Sequence, residues 1–326
     1  MPESENGFVS CDWGTTKLRL RWVDLDRGPA AVEVSSDEGV RHAFHLAGTG
    51  GPEVYREILA RGVARLEAAM GRSTSAALVV ISGMASSSIG IVELPYAELP
   101  FTLTGEGIVH RTLDEPLPGG QRMILVSGVR SADDVMRGEE MQLAGLHLQL
   151  GAAPEPIVYL LPGTHSKHAV VEGANLVAFR TYLTGELFEA VREHTVLRNS
   201  VAPPADGGFS RDAFQAGVRA AADGSLLHAL FLARSNRLFD TLDETENYWF
   251  LSGTVIGAEI EVLRTAPARQ IRLCAGSALR PLYEAAGETL ELGSRLESVP
   301  TALVDRSAAW GQLAVFRSLT DRTQGR

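Results

Sequence analysis

The 326-residue sequence is poor in cysteine and in long apolar runs, and it has no excess of basic residues. Its two cysteines, Cys11 and Cys274, each lie in an apolar, strand-like stretch. This favours buried thiols in a reducing compartment over a disulfide or a metal site. No apolar run approaches the roughly 18–20 residues of a membrane span, and the polar start MPESENG is unlike a signal peptide. We therefore expect a cytoplasmic protein without a membrane partner.

Charge and composition narrow the class further. The net charge is −10 and the pI is about 5.4, and no basic stripe could offset phosphate charge, which argues against a nucleic-acid partner. Hydrophobic residues make up 45% and charged residues 21% of the chain, as is typical of globular proteins with sizeable cores. The length exceeds what one core usually serves, so we expect two domains.

Strand and helix patterns alternate along the chain and predict an α/β fold. Apolar runs predict strands at 77–81, 123–126, 157–161 and 271–274. Helical spacing predicts helices at 52–70, from Thr184 onward, over most of 205–265, and near 308–320. Ser131 and Asp134 fit a capping box, which predicts a helix that starts soon after the strand at 123–126.

The stretch VSCDWGTTKLRL at 9–20 predicts two strands around a turn at 12–16. A hairpin needs only glycine or asparagine for its turn. Asp12 ahead of Gly14, and Thr15 and Thr16 after it, are therefore unexplained by turn chemistry. Backbone N–H groups and hydroxyls can hold a phosphate, and a carboxylate can hold Mg²⁺. An ordinary surface hairpin is the alternative.

Two later stretches repeat parts of this layout. IVYLLPGTHSKHAVV at 157–171 predicts a second hairpin, with Gly163 and Thr164 at its turn. IRLCAGSALR at 271–280 predicts a strand that runs through Gly276 and Ser277 into a helix. Three glycine turns in this order are a more specific pattern than any one of them.

Glu139 is a candidate general base on the helical pattern alone. Met136, Leu143, Leu146 and Leu150 share one face of a predicted helix, and Glu139 occupies the remaining position of that apolar stripe. A buried carboxylate is unfavourable unless something compensates it, such as a raised pKa or a nearby metal ion and reacting hydroxyl. A structural ion pair with Arg137 or Arg130 is the alternative, and Asp133 and Asp134 are substitute bases.

The three turns resemble those of the actin, hexokinase and Hsp70-like ATPase superfamily. The blocks DWGTT, SGM, VELPY, DVMRGEE, LPGTHSK, TGELF and LSGTVIGAE, spread over residues 12–259, resemble the 2-dehydro-3-deoxygalactonokinase family of sugar-acid kinases. The resemblance implies an α/β fold of two related actin-like ATPase (ribonuclease H-like) domains, at 1–130 and 131–326, with a nucleotide cleft between them. The helix near 308–320 is a candidate to pack back on the N-terminal domain.

The resemblance also implies a role for each motif residue. Asp12 would organise Mg²⁺ through water, and Glu139 would activate the attacking hydroxyl. The expected phosphate contacts are Gly14, Thr15, Thr16, Gly163 and Thr164. Gly276 and Ser277 would contact adenosine, although a simple helix-start glycine remains open for Gly276.

The acceptor is expected to bind near the loop SGMASSSIGIVELPY at 82–96 and near cations that can hold a carboxylate. The candidates are Gly83, Met84, Ser86, Ser87, Arg130, Lys167, Thr184 and Glu186. For Lys167, contact with phosphate or carboxylate and a solvated surface position both remain open. Its neighbours His165 and His168 lack a third ligand, and Mg²⁺ prefers oxygen, so they do not form a metal site.

The acceptor loop departs from the family pattern. That pattern has an arginine and a tryptophan at the positions of Ser88 and Ile91, and an asparagine at the position of Lys17. The phosphate-binding motifs are intact, so the departures concern the identity of the acceptor.

We therefore expect a kinase that uses ATP and Mg²⁺ to phosphorylate 2-dehydro-3-deoxy-D-galactonate at O6 in galactonate catabolism. A kinase of the same fold that acts on another sugar or sugar acid is one alternative. A non-catalytic nucleotide-binding regulatory protein is another, which Asp12 together with Glu139 disfavours. The expected partner is a small sugar acid, and the sequence leaves a homodimer open.

Overall fold

The structure is a computed structural model that describes residues 6–75, 77–205 and 207–324. The strands are β1 (Gly7–Trp13), β2 (Leu18–Asp24), β3 (Gly28–Ser36), β4 (Leu78–Gly83), β5 (Ala97–Glu98), β6 (Phe101–Thr102), β7 (His110–Thr112), β8 (Arg122–Val126), β9 (Val129–Arg130), β10 (Val135–Met136), β11 (Ile157–Leu161), β12 (Ser166–Glu172), β13 (Asn175–Tyr182), β14 (Gln270–Leu273) and β15 (Leu296–Ser298). The α-helices are α1 (Val40–Gly50), α2 (Glu53–Met70), α3 (Glu139–Leu150), α4 (Thr184–His194), α5 (Arg211–Ala222), α6 (Leu226–Leu238), α7 (Glu244–Ile260), α8 (Arg280–Thr289), α9 (Thr301–Val304) and α10 (Ser307–Gln324).

The chain divides into two compact units. The first contains the described residues of 1–153, 172–178 and 302–326, and the second contains those of 154–171 and 179–301. The division follows α3, whereas the sequence-based boundary lay near residue 130. The reason is that α3 packs along α10, and α10 also contacts β1 and β3, so both helices belong to the first unit.

The first unit contains a sheet in the order β3-β2-β1-β4-β8-β7. β1 and β2 form an antiparallel hairpin, whereas β1 runs parallel to β4, with Asp12 beside Ser82 and Trp13 beside Gly83. Parallel strands end at the same edge of a sheet. The register therefore places the turn after β1 and the loop after β4 at one edge.

The second unit repeats part of this arrangement, with β15, β14, β11 and β12 as neighbours in that order. β11 and β12 form an antiparallel hairpin, and β11 runs parallel to β14. The turn at Gly163 and the turn at Gly276 follow β11 and β14. Both turns therefore leave the sheet at the same edge.

The sequence-based prediction of a helix near Ser131 was wrong. No helix begins near Ser131, because Val135 and Met136 pair as β10 with β9. The Ser131 hydroxyl instead accepts hydrogen bonds from the amides of Asp133 and Asp134 within a turn.

Both cysteines are buried and free, as expected. Burial raises the pKa of each thiol above its ordinary value, so both stay protonated near neutral pH. Among the described residues, no helix has the length and apolar character needed to cross a bilayer.

Helices α3 and α10 approach each other through glycine. A Cβ atom on Gly145 would lie 1.8 Å from the carbonyl oxygen of Ser307, and one on Gly311 would lie 1.9 Å from that of Met141. Only a residue without a side chain allows the two backbones to come this close. The pair also positions Gln312, whose amide donates to the Cys11 carbonyl (2.9 Å) and the Ser82 hydroxyl (2.8 Å).

We predict that Gly145→Ala destabilises the protein by about 1–3 kcal/mol, the usual range for overpacking, because the helices must separate to admit the methyl group. Urea unfolding measures the effect. Gly48→Ala is the matched control, since Gly48 is also helical but has no atom within 4 Å of an added Cβ. It should be neutral or stabilising by up to about 1 kcal/mol. Equal stability of Gly145→Ala and the wild type would contradict the close contact.

Candidate active site

Asp12 lies next to the end of β1 and pairs with an arginine on β2. Arg19 donates a hydrogen bond of 3.1 Å to the Asp12 carboxylate, whose side chain is 21% exposed. Desolvation raises the pKa of Asp12, Arg19 lowers it, and the charge of Glu139 raises it again. Asp12 and Glu139 are therefore close enough to repel each other.

The turn after Asp12 is supported by the start of α1. The amides of Gly39, Val40 and Arg41 donate to the carbonyls of Thr16, Gly14 and Thr15 at 3.2, 3.0 and 3.1 Å, respectively. These contacts fix the backbone of the turn at one edge of the sheet, beside Asp12.

The start of α3 presents two adjacent acids with different environments. The Glu140 side chain is fully buried and accepts bonds of 2.9 and 2.7 Å from the Gly138 amide. Glu139 is half-buried and accepts a 3.1 Å bond from the Arg137 amide. Gly138 has φ +116°, a backbone conformation that favours glycine. The turn thus sends one carboxylate inward and leaves the other accessible.

The helical stripe that placed Glu139 in the core was wrong in register. Met136 belongs to β10 and not to the helix, so it cannot define the buried face. From the true helix start, Glu140 shares the buried face with Leu143 and Ala144. The pair of acids directly after a glycine was the signal that sequence reasoning did not use.

The proposed ion-pair partners of Glu139 have other contacts. Arg130 donates to Glu98 at 2.6 Å across two short strands. The Arg137 guanidinium donates to the carbonyl and hydroxyl of Ser86 at 2.5 and 2.6 Å, and it lies over the Tyr96 ring. Arg137, which the sequence analysis did not nominate for the acceptor site, therefore supports the loop after β4.

That loop begins at Gly83 and Met84 and is tightly bonded within itself. Gly83 has φ +87°, and a Cβ there would lie 2.7 Å from the Trp13 carbonyl. The buried Ser86 and Ser87 hydroxyls donate to the carbonyls of Gly83 (3.3 Å) and Met84 (2.7 Å). The two serines therefore shape the loop.

In the second unit, the turn at Gly163 and Thr164 packs against the start of α4. The Glu186 amide donates to the Thr164 carbonyl at 3.1 Å, and the Glu186 carboxylate contacts His165. A Cβ on Gly185 would lie 2.8 Å from the Gly163 carbonyl. Thr184, at the first position of α4, is buried. The predicted residues Gly163, Thr164, Thr184 and Glu186 are thus brought together.

Lys167 lies on β12 and is buried, with 3% exposure. Its ammonium donates to the His165 carbonyl at 3.1 Å. The alternative of a solvated surface lysine is therefore wrong, because β12 is covered on both faces.

The fold does not require glycine at positions 14, 163 and 276. None has a positive φ, and an added Cβ would meet nothing closer than 3.5 Å at Gly14 and nothing within 4 Å at the other two. Glycine is therefore needed at these positions neither for turn geometry nor for packing. Gly276 and Ser277 are exposed at the end of their strand. Open space above the backbone suits a group that must approach closely.

Paired hairpins with glycine turns on two mixed sheets define an α/β protein of the actin-like ATPase type. Two solved structures share this fold at low identity. They are component A of (R)-2-hydroxyglutaryl-CoA dehydratase from Acidaminococcus fermentans (TM-score 0.52, 13% identity, 96% of this chain and 99% of that one) and the activator of 2-hydroxyisocaproyl-CoA dehydratase from Clostridium difficile (TM-score 0.50, 12% identity, 98% and 97%).

The chain belongs to the 2-keto-3-deoxy-galactonokinase family, whose model matches residues 12–306. It is 30% identical over 305 residues to the 2-dehydro-3-deoxygalactonokinase of Escherichia coli (strain K12), covering 87% of this chain and 90% of that protein. A crystal structure of a candidate 2-dehydro-3-deoxygalactonokinase from Sinorhizobium meliloti is similar with a TM-score of 0.78 and 28% identity, over 95% of this chain and 96% of that one.

The environment of Glu140 predicts a pH-dependent stability. Desolvation and the charge of Glu139 raise the pKa of Glu140 from 4.5 to about 8. Between these values the folded state keeps a proton that the unfolded state has lost, so stability falls as pH rises from about 5 to 8, by about 1.4 kcal/mol per pH unit from this group. Glu140→Gln removes the titration and keeps an oxygen that accepts from Gly138.

Urea unfolding of the wild type and Glu140→Gln at several pH values across this window measures the effect. The variant should gain stability relative to the wild type as the pH rises, and the difference should level off above about pH 8. Parallel stability profiles for the two proteins would show that Glu140 titrates normally.

Proposed function

We propose that this protein phosphorylates the 6-hydroxyl of 2-dehydro-3-deoxy-D-galactonate with ATP, in sugar-acid catabolism in the cytoplasm. The observation that carries the proposal is the pair of acids, Asp12 and Glu139, beside a glycine turn in a chain of this kinase family. The activity in the name of the E. coli relative supplies the substrate.

A magnesium ion fits the first unit. The carboxylates of Asp12 and Glu139 repel each other, and oxygen donors of this kind are what Mg²⁺ prefers. The described residues contain no cluster of three or more metal-ligating side chains. This agrees with a cation that takes one or two carboxylates from the protein and its remaining ligands from phosphate and water. Asp12 would hold the ion, which would offset phosphate charge when bound.

Open backbone at three glycines supports nucleotide binding. In the first unit, Gly14, Thr15 and Thr16 are proposed to contact phosphates through amides and hydroxyls. In the second unit, the proposed phosphate contacts are Gly163 and Thr164, and the proposed adenosine contacts are Gly276 and Ser277. The fold is compatible with this, since the C. difficile activator was crystallised with ADPNP.

Glu139 is the proposed general base. Its carboxylate is half-buried beside Asp12, whereas Glu140 is fully buried and bonded to Gly138. Only an accessible carboxylate can reach a substrate hydroxyl and accept its proton. Phosphoryl transfer depends mainly on positioning and charge stabilisation. The phosphate-binding turns would supply these, and Glu139 would accept the proton of the attacking hydroxyl.

The acceptor is proposed to bind through the loop after β4 and through cations. The proposed contacts are Gly83, Met84, Ser86, Ser87, Arg130, Lys167, Thr184 and Glu186. Among these, Lys167 carries a positive charge with little exposure, so a carboxylate that reached it would be recognised strongly. The family pattern has arginine and tryptophan at the positions of Ser88 and Ile91. Because this loop is proposed to bind the acceptor, a different sugar acid is the second candidate acceptor.

A coupled kinase assay over a panel of sugar acids tests the proposal. The wild type should phosphorylate 2-dehydro-3-deoxy-D-galactonate in preference to its stereoisomers and to hexoses. Asp12→Asn should abolish turnover without unfolding the protein, because it removes charge at constant volume. If the enzyme prefers another acid, the proposed acceptor is wrong. If it turns over no member of the panel, the proposed kinase function is wrong.

Glu139→Gln and Glu140→Gln form a matched pair on adjacent residues. Glu139→Gln should lower kcat by roughly 10²–10⁴-fold, the usual range for loss of a general base, with little change in stability. Glu140→Gln should remove the contribution of Glu140 to the pH dependence of stability and leave most of the activity. Single-turnover kinetics and thermal melts on both variants separate the roles. A larger loss of kcat in Glu140→Gln would transfer the role of base to Glu140.

A further inference from the structure

A chain of buried polar side chains runs through the second unit. Tyr283 on α8 donates a 2.6 Å bond to Glu259 on α7, and its oxygen lies 3.1 Å from the Ser166 hydroxyl. His168 lies 3.2 Å from the other oxygen of Glu259. Each of the four side chains is less than 8% exposed. Three elements, β12, α7 and α8, are thus joined by hydrogen bonds between buried side chains.

The directions of these hydrogen bonds are determined by the donors. Burial and the charge of Glu259 raise the pKa of Tyr283 well above its ordinary value, so the phenol stays protonated and donates to Glu259. Its oxygen then accepts from Ser166. Ser166 in turn accepts from the Gly163 amide at 3.4 Å. Every donor along this path points toward Glu259, and successive hydrogen bonds in such a chain strengthen each other.

The path ends at the glycine turn that follows β11. Ser166 and His168 lie on one face of β12, because side chains alternate along a strand. Tyr283 lies on the helix that follows Gly276 and Ser277. The same carboxylate is therefore connected to the Gly163 turn through Ser166 and to α8 through Tyr283.

A buried carboxylate is a poor source of stability, because an apolar group of similar volume often serves as well. Its position here is better explained by orientation, since the path links it to the amide of a glycine whose identity the fold does not require. We propose that Glu259 is a positioning residue, which acts through Tyr283 and Ser166 to hold the Gly163 turn in the conformation that binds a nucleotide phosphate. The phosphate-binding part of this inference rests on the proposed function.

Tyr283→Phe tests the inference, because it removes the linking hydroxyl and keeps the ring. Tyr159→Phe is the matched control. Tyr159 is also a buried tyrosine of this unit, and its hydroxyl accepts a 2.8 Å bond from Arg272, outside the path. Hydrogen exchange of the peptide over 161–166 and KM for ATP are measured on both variants. Ser166→Ala breaks the same path with a smaller change, in case Tyr283→Phe does not fold.

Tyr283→Phe and Ser166→Ala should each speed exchange at the turn and raise KM for ATP about threefold to tenfold, the equivalent of one hydrogen bond. KM for the sugar acid and kcat should change less than twofold. Tyr159→Phe should leave exchange at the turn and KM for ATP unchanged. Glu259→Gln, which keeps an acceptor for Tyr283, should restore most of the ATP affinity that Glu259→Leu loses.

Equal exchange rates in Tyr283→Phe and Tyr159→Phe would overturn the positioning role, as would faster exchange with an unchanged KM for ATP. If the wild type neither binds nor uses ATP, the proposed function fails, whereas the exchange comparison still decides whether the path orients the turn.

Discussion

The close contact of α3 with α10 is the constraint on which the candidate site of the first unit depends. Gly145 and Gly311 allow the two backbones to touch, which fixes the axis of α3 and therefore the place where its acidic start lies. The same helix α10 carries Gln312, which bonds to the ends of β1 and β4. One helix near the C-terminus thus holds both the strand that carries Asp12 and the helix that carries Glu139.

The acids of the first unit lie in an arrangement that works against stability. Asp12 and Glu139 repel each other, and Glu140 is buried beside them with a raised pKa. Arg19 offsets part of this charge through an ion pair with Asp12. A fold selected only for stability would not concentrate carboxylates here, and acids with perturbed pKa values are typical of functional sites.

The second unit also buries polar side chains, which are joined by hydrogen bonds. Its sheet brings the Gly163 and Gly276 turns to one edge, and α4 packs against the first of them. The Gly163 amide is held by the hydrogen bonds that lead from Ser166 through Tyr283 to Glu259, and all three of these side chains are buried.

The sequence by itself determined the strands and turns that carry the motifs, since period-two apolar patterns around glycine are local signals. It located Asp12, Gly163 and Gly276 at the ends of strands and identified the kinase family. It did not distinguish Glu139 from Glu140, because the burial of each depends on where α3 begins, and that is decided by the β9 and β10 pairing and the positive φ of Gly138. Nor could it pair Glu259 with His168 and Tyr283, which are 91 and 24 residues away. Contacts of that kind are decided only when helices pack on a sheet, because the core then removes water and leaves each buried polar group to find its partner in the protein.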